Sequence, residues 1–281
     1  MDQKIISLFD SFTHGGMNRR TFMEKLTTLA GGSAAAAALL PVLENNYAHA
    51  EVVAETDDRI TSEILPFKGG SGYLVKPKAA GIYPGVVVIH ENRGLNPHIK
   101  DVTRRMALEG FVALAPDYLN AFGGTPSDAD KARDMIGTLK PDAIVATSMA
   151  ALAAVKSNGA TNGKSGAMGF CWGGGAVNAL AVADASLSAG VAYYGSQPPA
   201  ADVPRIMAPL MLHYASLDER INAGIPAFEE ALKAAKKTYE LHMYEGANHA
   251  FNNDTNAARY NKEAADLAWK RTVDFLKKYV S

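Results

Sequence analysis

One stretch constrains this chain more than any other. An apolar segment, Ser165–Phe170, runs straight into a glycine-flanked cysteine, Gly169-Phe170-Cys171-Trp172-Gly173. The segment reads as a short buried strand, and residues 174–184 carry apolar side chains at helical spacing. A strand that becomes a helix within a residue or two leaves no room for side chains two positions either side of the turn. That is the physical reason for glycine at 169 and 173. The turn aims its apex residue at the start of the helix, where backbone N–H groups and the dipole favour a thiolate and a developing oxyanion. Cys171 is the single cysteine among 281 residues, so no disulfide closes within the chain, and no Cys/His cluster marks a zinc site. A lone cysteine is often only a small buried hydrophobe, but the turn around this one argues for a nucleophile. Neither a metal nor a cofactor is expected.

The rest of the chain alternates short apolar runs with longer segments of helical periodicity. Ser62–Phe67 and Gly72–Lys76 read as a strand pair, and Gly85-Val86-Val87-Val88-Ile89-His90 as a strand buried on both faces. Pro97–Glu109 reads as a helix, Phe111–Ala115 as a strand, and 116–130 as a loop rich in Gly, Pro, Asp and Ser. Helix Pro141–Ser157 precedes the cysteine strand. After it come strands Ala189–Tyr193 and Leu210–Tyr214, helix Ile225–Lys236, strand Tyr239–Tyr244 and a closing helix Ala258–Tyr279. This order predicts an α/β fold, a mostly parallel, doubly wound sheet with helices on both faces. Sites in such sheets form beyond the carboxyl ends of strands. The loops His90–Leu95, Cys171–Gly174, Ser216–Arg220 and Gly246–Asn253 are therefore where chemistry is sought.

Two of those loops supply partners for the cysteine in the chain order nucleophile, acid, histidine. Asp218 follows the strand ending near Tyr214, and His249 follows the strand ending at Tyr244. His249 would accept the thiol proton, and Asp218 would orient the imidazole. The plainer readings are a helix-capping Asp218 and a surface-loop His249. With Gly169–Gly174, Leu217-Asp218, Gly246–Phe251 and His90-Glu91-Asn92-Arg93-Gly94 in view, the chain from about residue 60 to its end resembles the dienelactone hydrolase family. That family is a branch of the α/β hydrolases with a Cys-Asp-His triad.

The resemblance implies a hydrolase of small esters or lactones, similar to carboxymethylenebutenolidase. It implies that Glu91 interacts with the resting nucleophile and helps activate its thiol. It also implies that the backbone N–H groups of Asn92 and Trp172 form the oxyanion hole. A carboxylate near a thiol is a plausible proton acceptor on chemical grounds alone. The sequence departs from the family at two arginines that bind the substrate carboxylate. The matching stretches here read His249-Ala250-Phe251-Asn252-Asn253 and Asp117-Tyr118-Leu119-Asn120-Ala121, with no arginine. Arg93 and Arg220 are candidate substitutes, and Tyr118 and Phe251, with Trp172, are candidate pocket walls. The competing reading is a non-catalytic ligand-binding protein on a hydrolase scaffold.

Residues 1–50 read differently. Asn18-Arg19-Arg20-Thr21-Phe22-Met23 precedes an apolar run, Leu26 to Leu43, rich in Ala and Gly, and Ala48-His49-Ala50 is a cleavage-type signal. The segment resembles a twin-arginine export signal. The expectation is a signal peptide over 1–50, a hydrolase domain over 51–281, the twin-arginine machinery as a transient partner, and a periplasmic or secreted product. The alternative is an uncleaved membrane anchor, for which the run is barely long enough against the ~20 residues a span needs. A net charge of −1, with 20% of residues charged, gives no basic surplus for binding nucleic acid. The expected partner is a small-molecule substrate, and the sequence leaves oligomeric state open.

Overall fold

In the computed structural model, which describes residues 1–47 and 51–281, the chain builds one eight-stranded sheet. The strands are β1 (Ile60–Phe67), β2 (Gly70–Pro77), β3 (Tyr83–Ile89), β4 (Val112–Pro116), β5 (Thr161–Phe170), β6 (Ala189–Tyr193), β7 (Leu210–Ala215) and β8 (Tyr239–Tyr244). Their spatial order is β1-β2-β4-β3-β5-β6-β7-β8. β1 and β2 pair antiparallel, β2 meets β4 antiparallel, and every pair from β4 to β8 is parallel.

The sheet separates two apolar layers, and β3 shows how. Val86 and Val88 pack with Ile99, Val102 and Met106 of the helix α4 (Pro97–Leu108). Val87 and Ile89 pack on the other face with Leu152 and Val155 of α6 (Pro141–Lys156) and Val177 and Leu180 of α7 (Trp172–Ala183). Alternation along a strand buried on both sides is why the run is apolar throughout. The closing helix, α10 (Lys262–Val280), joins the first layer, and α9 (Ile225–Ala234) the second. Chain chemistry sets the helix starts: Asn96 Oδ1 accepts from Ile99 N at 3.1 Å and Pro97 follows at the first helical position.

Two expectations needed correction. The loop over 116–130 ends early, because Asp128 caps a further helix, α5 (Ala129–Gly137), accepting from Asp130 N and Lys131 N. Residues 258–261 do not belong to the last helix, which begins after Asn261 has accepted from Ala264 N.

The first 47 residues fold as three helices, α1 (Gln3–Thr13), α2 (Arg19–Ala30) and α3 (Ser33–Leu43). The apolar run from Leu26 is not one helix. Gly31, at φ +78°, closes α2 by donating to Thr27 O and Thr28 O, and α3 leaves at 112° to it. Among the described residues no single helix is long and apolar enough to cross a membrane. Ile5, Phe9, Phe12, Phe22, Leu26, Ala36 and Leu43 bury one another in a small core, with Phe12 stacked on Phe22 at 4.6 Å. That core sits against the rest of the chain. Asn256 Nδ2 donates to Leu43 O (2.6 Å), Asn46 N to Thr255 O (2.8 Å) and Asn92 Nδ2 to Thr13 O (2.8 Å), and Arg19 pairs with Asp130 (2.9 Å). The Ala48-His49-Ala50 signal lies outside the described residues.

The tightest packing is between α7 and the strands beside it. A Cβ on Gly173 would stand 2.5 Å from the carbonyl oxygen of Ile89 and closer still to that of His90, both backbone atoms that cannot rotate away. Gly173→Ala is therefore expected to lower stability by on the order of 3 kcal/mol, read as a reduced urea midpoint. An unchanged midpoint would mean that α7 can move off β3.

Candidate active site

Cys171 sits at the junction of β5 and α7 with φ +56° and ψ −116°, a conformation that a non-glycine residue adopts only under constraint. The constraint is the packing of its neighbours. A Cβ on Gly174 would meet Tyr193 O at 2.6 Å, and Gly173 abuts the end of β3. Cys171 N donates to Tyr193 O at 3.0 Å, tying the turn to β6 as well. The nucleophile-type turn read from the sequence is present, and the residue after it, Trp172, opens α7.

Asp218 and His249 come to Cys171 from the loops after β7 and β8. Asp218 Oδ2 lies 2.5 Å from His249 Nδ1, while its other oxygen accepts from Ile221 N at 3.3 Å to cap the short helix α8 (Glu219–Asn222). The capping role and the histidine-orienting role are thus both filled, one by each oxygen. With Nδ1 directed at the carboxylate, the lone pair of His249 falls on Nε2, which is buried and has no hydrogen-bond partner.

Next to Cys171 is a cavity of about 520 Å³, lined by Asn92, Trp172, Tyr194, Arg133, Arg220 and His249 and closed on one side by Thr13, His14 and Gly15. The size suits a small organic molecule. Asn92 and Trp172, the expected oxyanion donors, both line this cavity. Glu91 is buried beside Cys171, but its Oε2 accepts from Asn253 Nδ2 (2.7 Å), its Oε1 has no partner, and it makes no hydrogen bond to the sulfur.

Three candidate pocket residues lie elsewhere. Arg93 is buried, 3.9 Å from Asp130, and faces a small recess behind Cys171 rather than the main cavity. Tyr118 stands behind Trp172, edge-on at 5.0 Å, with its hydroxyl 2.6 Å from Ser148 Oγ. Phe251 has no exposure at all and packs edge-on against Tyr194. All three follow strand ends, and sequence position alone cannot separate a residue that faces the cavity from one that supports its wall.

The structure adds residues that the sequence did not single out. Tyr194, the residue after β6, has φ +37°, a buried and unpartnered hydroxyl, and a place on the cavity wall. Burial, and then the charges of Glu91 and Cys171, push its ionisation well above the usual tyrosine range. A strand-end position was the available signal. Arg133 arrives on the unexpected α5, and its charge is met by Asp130 (3.1 Å) and Asp134 (2.8 Å). His14, from the N-terminal segment, places Nε2 3.1 Å from Cys171 Sγ. The ligand-type atoms of His14, Cys171 and His249 lie within 4.8 Å of one another, the one such group of histidine, cysteine and carboxylate side chains among the described residues. Within this group His14 and Cys171 are hydrogen-bonded to each other, and His249 Nε2 is not bonded to either.

Comparison with known proteins agrees with this architecture. The profile of the dienelactone hydrolase family matches residues 71–280. A relative from Methylorubrum extorquens, described as "Putative carboxymethylenebutenolidase", is 33% identical over 282 aligned positions that cover 94% of each chain. One of the same description from Saccharolobus solfataricus is 34% identical over 69% of this chain and 88% of its own. Among solved structures, a dienelactone hydrolase from Klebsiella pneumoniae, its assignment also putative, superposes with a TM-score of 0.71 at 28% identity. It covers 78% of this chain and 98% of its own. On its sequence, sheet and elbow, the chain belongs to the dienelactone hydrolase family and is a hydrolase of ester or lactone bonds with an α/β-hydrolase fold.

Proposed function

We propose that the protein cleaves small esters or lactones through an acyl-enzyme on Cys171, with His249 as the base and Asp218 orienting it. The observation that carries the reading is the 2.5 Å Asp218–His249 contact, which leaves Nε2 free on a histidine that has a ring nitrogen within 4.8 Å of a sulfur held on a strained turn. In this reading the sulfur, having given up its proton to an imidazole, attacks the carbonyl carbon and the carbonyl electron pair moves onto oxygen. The backbone N–H groups of Asn92 and Trp172 receive that charge, each such donor being worth about 3–4 kcal/mol in comparable hydrolases. The pair then returns, the C–O bond breaks, and the leaving alkoxide takes up the proton that the thiol gave. His249 Nε2 then takes a proton from the water that attacks the thioester. Glu91, buried beside the sulfur with one oxygen unpartnered, is proposed to support activation of the thiol.

Cys171→Ala is expected to abolish hydrolysis of a p-nitrophenyl ester in a folded protein. Asp218→Asn separates the two duties of that residue. Asparagine caps a helix as well as aspartate does, so the melting temperature should hold, while kcat falls by on the order of 10⁴ through the wrong histidine tautomer. Undiminished turnover in either variant would remove that residue from the mechanism.

Substrate charge is set by the arginines. The two family positions hold none, and the two guanidinium groups that do reach the cavity are already engaged, Arg133 with Asp130 and Asp134, Arg220 with Asp10 at 3.3 Å. A buried carboxylate without a partner costs roughly 1–3 kcal/mol or more per missing contact. The expected preference is for neutral esters or lactones. In matched pairs, kcat/KM should be at least about tenfold higher for the amide-bearing member than for the free carboxylate. A preference for the carboxylate that vanishes in Arg220→Ala would overturn this.

For the first 50 residues we propose export by the twin-arginine route to the periplasm or beyond, on the strength of Arg19-Arg20 and the weakly apolar run that follows. The packing of α1–α3 on the site favours a second reading, in which the segment stays with the working enzyme. Replacing both arginines with lysine should trap the chain in the cytoplasm. The first residue of the active protein, Glu51 or Met1, decides between removal and retention of the segment.

A further inference from the structure

We infer that His14 is a further catalytic residue, holding the proton of Cys171 so that the resting nucleophile is a thiolate paired with His14 and not with His249. The inference rests on Cys171 being the nucleophile proposed above and on residues 1–50 staying with the working enzyme, the second of the two readings given for that segment. Geometry carries it. His14 Nε2 is 3.1 Å from Cys171 Sγ, whereas His249 Nε2 has no hydrogen-bond partner. The rings of the two histidines meet edge to face with centroids 4.7 Å apart, so one sulfur is served by two imidazoles.

Each imidazole is backed by an aspartate. Asp218 stands behind His249; Asp10 stands behind His14, whose Nδ1 lies 2.8 Å from Asp10 O and 3.2 Å from Asp10 Oδ1. Asp10 is in turn flanked by Arg220 at 3.3 Å and Arg259 at 3.8 Å. The end of α1 is held in place by Asn92 donating to Thr13 O, and its start by Gln3 Nε2 donating to Asn248 Oδ1 at 2.6 Å. Burial by itself would lower the basicity of His14, but the charge on Cys171 and the hydrogen bond to Asp10 outweigh it, and the net direction is up. The Asp10 carboxyl, which burial would raise, is held well below the usual range by His249, His14 and Arg220. It therefore stays charged beneath His14.

The arrangement divides the proton work. At rest the thiol proton resides on His14 Nε2. The thiolate attacks the ester carbon, the C–O bond breaks, and the leaving alkoxide takes the proton from His14. His249 Nε2, never occupied by the thiol, then deprotonates the water that attacks the thioester. The C–S bond breaks to return the thiolate. One of the two protons now on His249 and the product acid restores His14, and the other leaves to solvent, so ester and water yield alcohol, carboxylate and a proton.

The charged and titratable groups facing this pair are Asp10 from α1, Glu91 and Arg93 after β3, Arg133 and Asp134 from α5, and Tyr194 after β6. Asp218 and Arg220 at α8, His249 after β8, and Arg259 ahead of α10 complete the set. None of these is hydrogen-bonded to the sulfur, whose one side-chain hydrogen bond among the described residues is to His14.

The test uses the full chain from Met1, in which Cys171 is the only thiol. Thiolate absorbance at 240 nm, with Cys171→Ala as the zero, is followed against pH. Wild type should show a midpoint well below the ~8.5 of a free thiol. His14→Gln keeps a side chain of hydrogen-bonding character and should raise that midpoint by at least about one unit, with a tenfold or greater loss of alkylation rate at neutral pH. A companion measurement needs no variant: the His14 ring is titrated by NMR before and after Cys171 is capped as a neutral methyl disulfide. Capping should lower its midpoint by at least about one unit, because the two charges stabilise each other. Coincident titration curves in the capped and free protein would overturn the pairing, whatever the fold of the variant. Neither readout uses a substrate, so failure to hydrolyse esters and failure of the pairing are seen separately.

Discussion

The close approach of α7 to the sheet is the constraint on which the rest of the molecule depends. Gly169, Gly173 and Gly174 let the helix start against the ends of β3 and β6, with backbone touching backbone. Bringing the two that near forces the single intervening residue into a left-handed conformation that a side chain tolerates only when its surroundings hold it there. The cost is local, of order 1–3 kcal/mol, and is offset by the burial on both faces of the sheet. In return the sulfur stands clear of the strand at the positive end of a helix, reachable from the loops that follow β3, β6, β7 and β8.

Around that fixed point the side chains are economical. Asp218 shows this best, since one oxygen anchors α8 and the other fixes the tautomer of His249. A residue that closes a helix cannot drift, so the histidine it holds inherits the rigidity of the backbone. Asp10 stands on the other side of the cavity, where its backbone carbonyl accepts from His14 Nδ1 and its half-buried carboxylate has Arg220 and Arg259 nearby. A carboxylate held partly out of water is tolerable with such company. The N-terminal helices are thus joined to the hydrolase body by polar contacts at the site itself, while Phe9, Phe12 and Phe22 supply a core of their own.

Much of the fold could be read from residue order. Strands β6 and β8 lie where apolar alternation put them, and the turn at Cys171 was apparent from its glycines. Helix α5 was missed because Ala129–Gly137 follows a stretch of Gly, Pro, Ser and Asp, and a single capping Asp128 is a weak signal within it. The candidate pocket residues were misplaced for a different reason. Tyr118 and Phe251 are aromatic residues at strand ends, as Trp172 and Tyr194 nearly are, but the side on which each ring lies depends on how neighbouring loops pack.

The sequence by itself determined the α/β class, the glycine-flanked turn at Cys171 and the order of Cys171, Asp218 and His249, because glycine spacing and strand–helix alternation are local properties of the chain. It also determined that no thiol could compete with Cys171. Only the tertiary structure decided what touches the sulfur. Residues 1–50 carry the composition of an export leader, and nothing in their order says that α2 ends at Gly31 and doubles back. Nor does it say that His14 reaches a cysteine 157 positions away. A contact of that span depends on two segments folding against a third, which no pattern along the chain encodes.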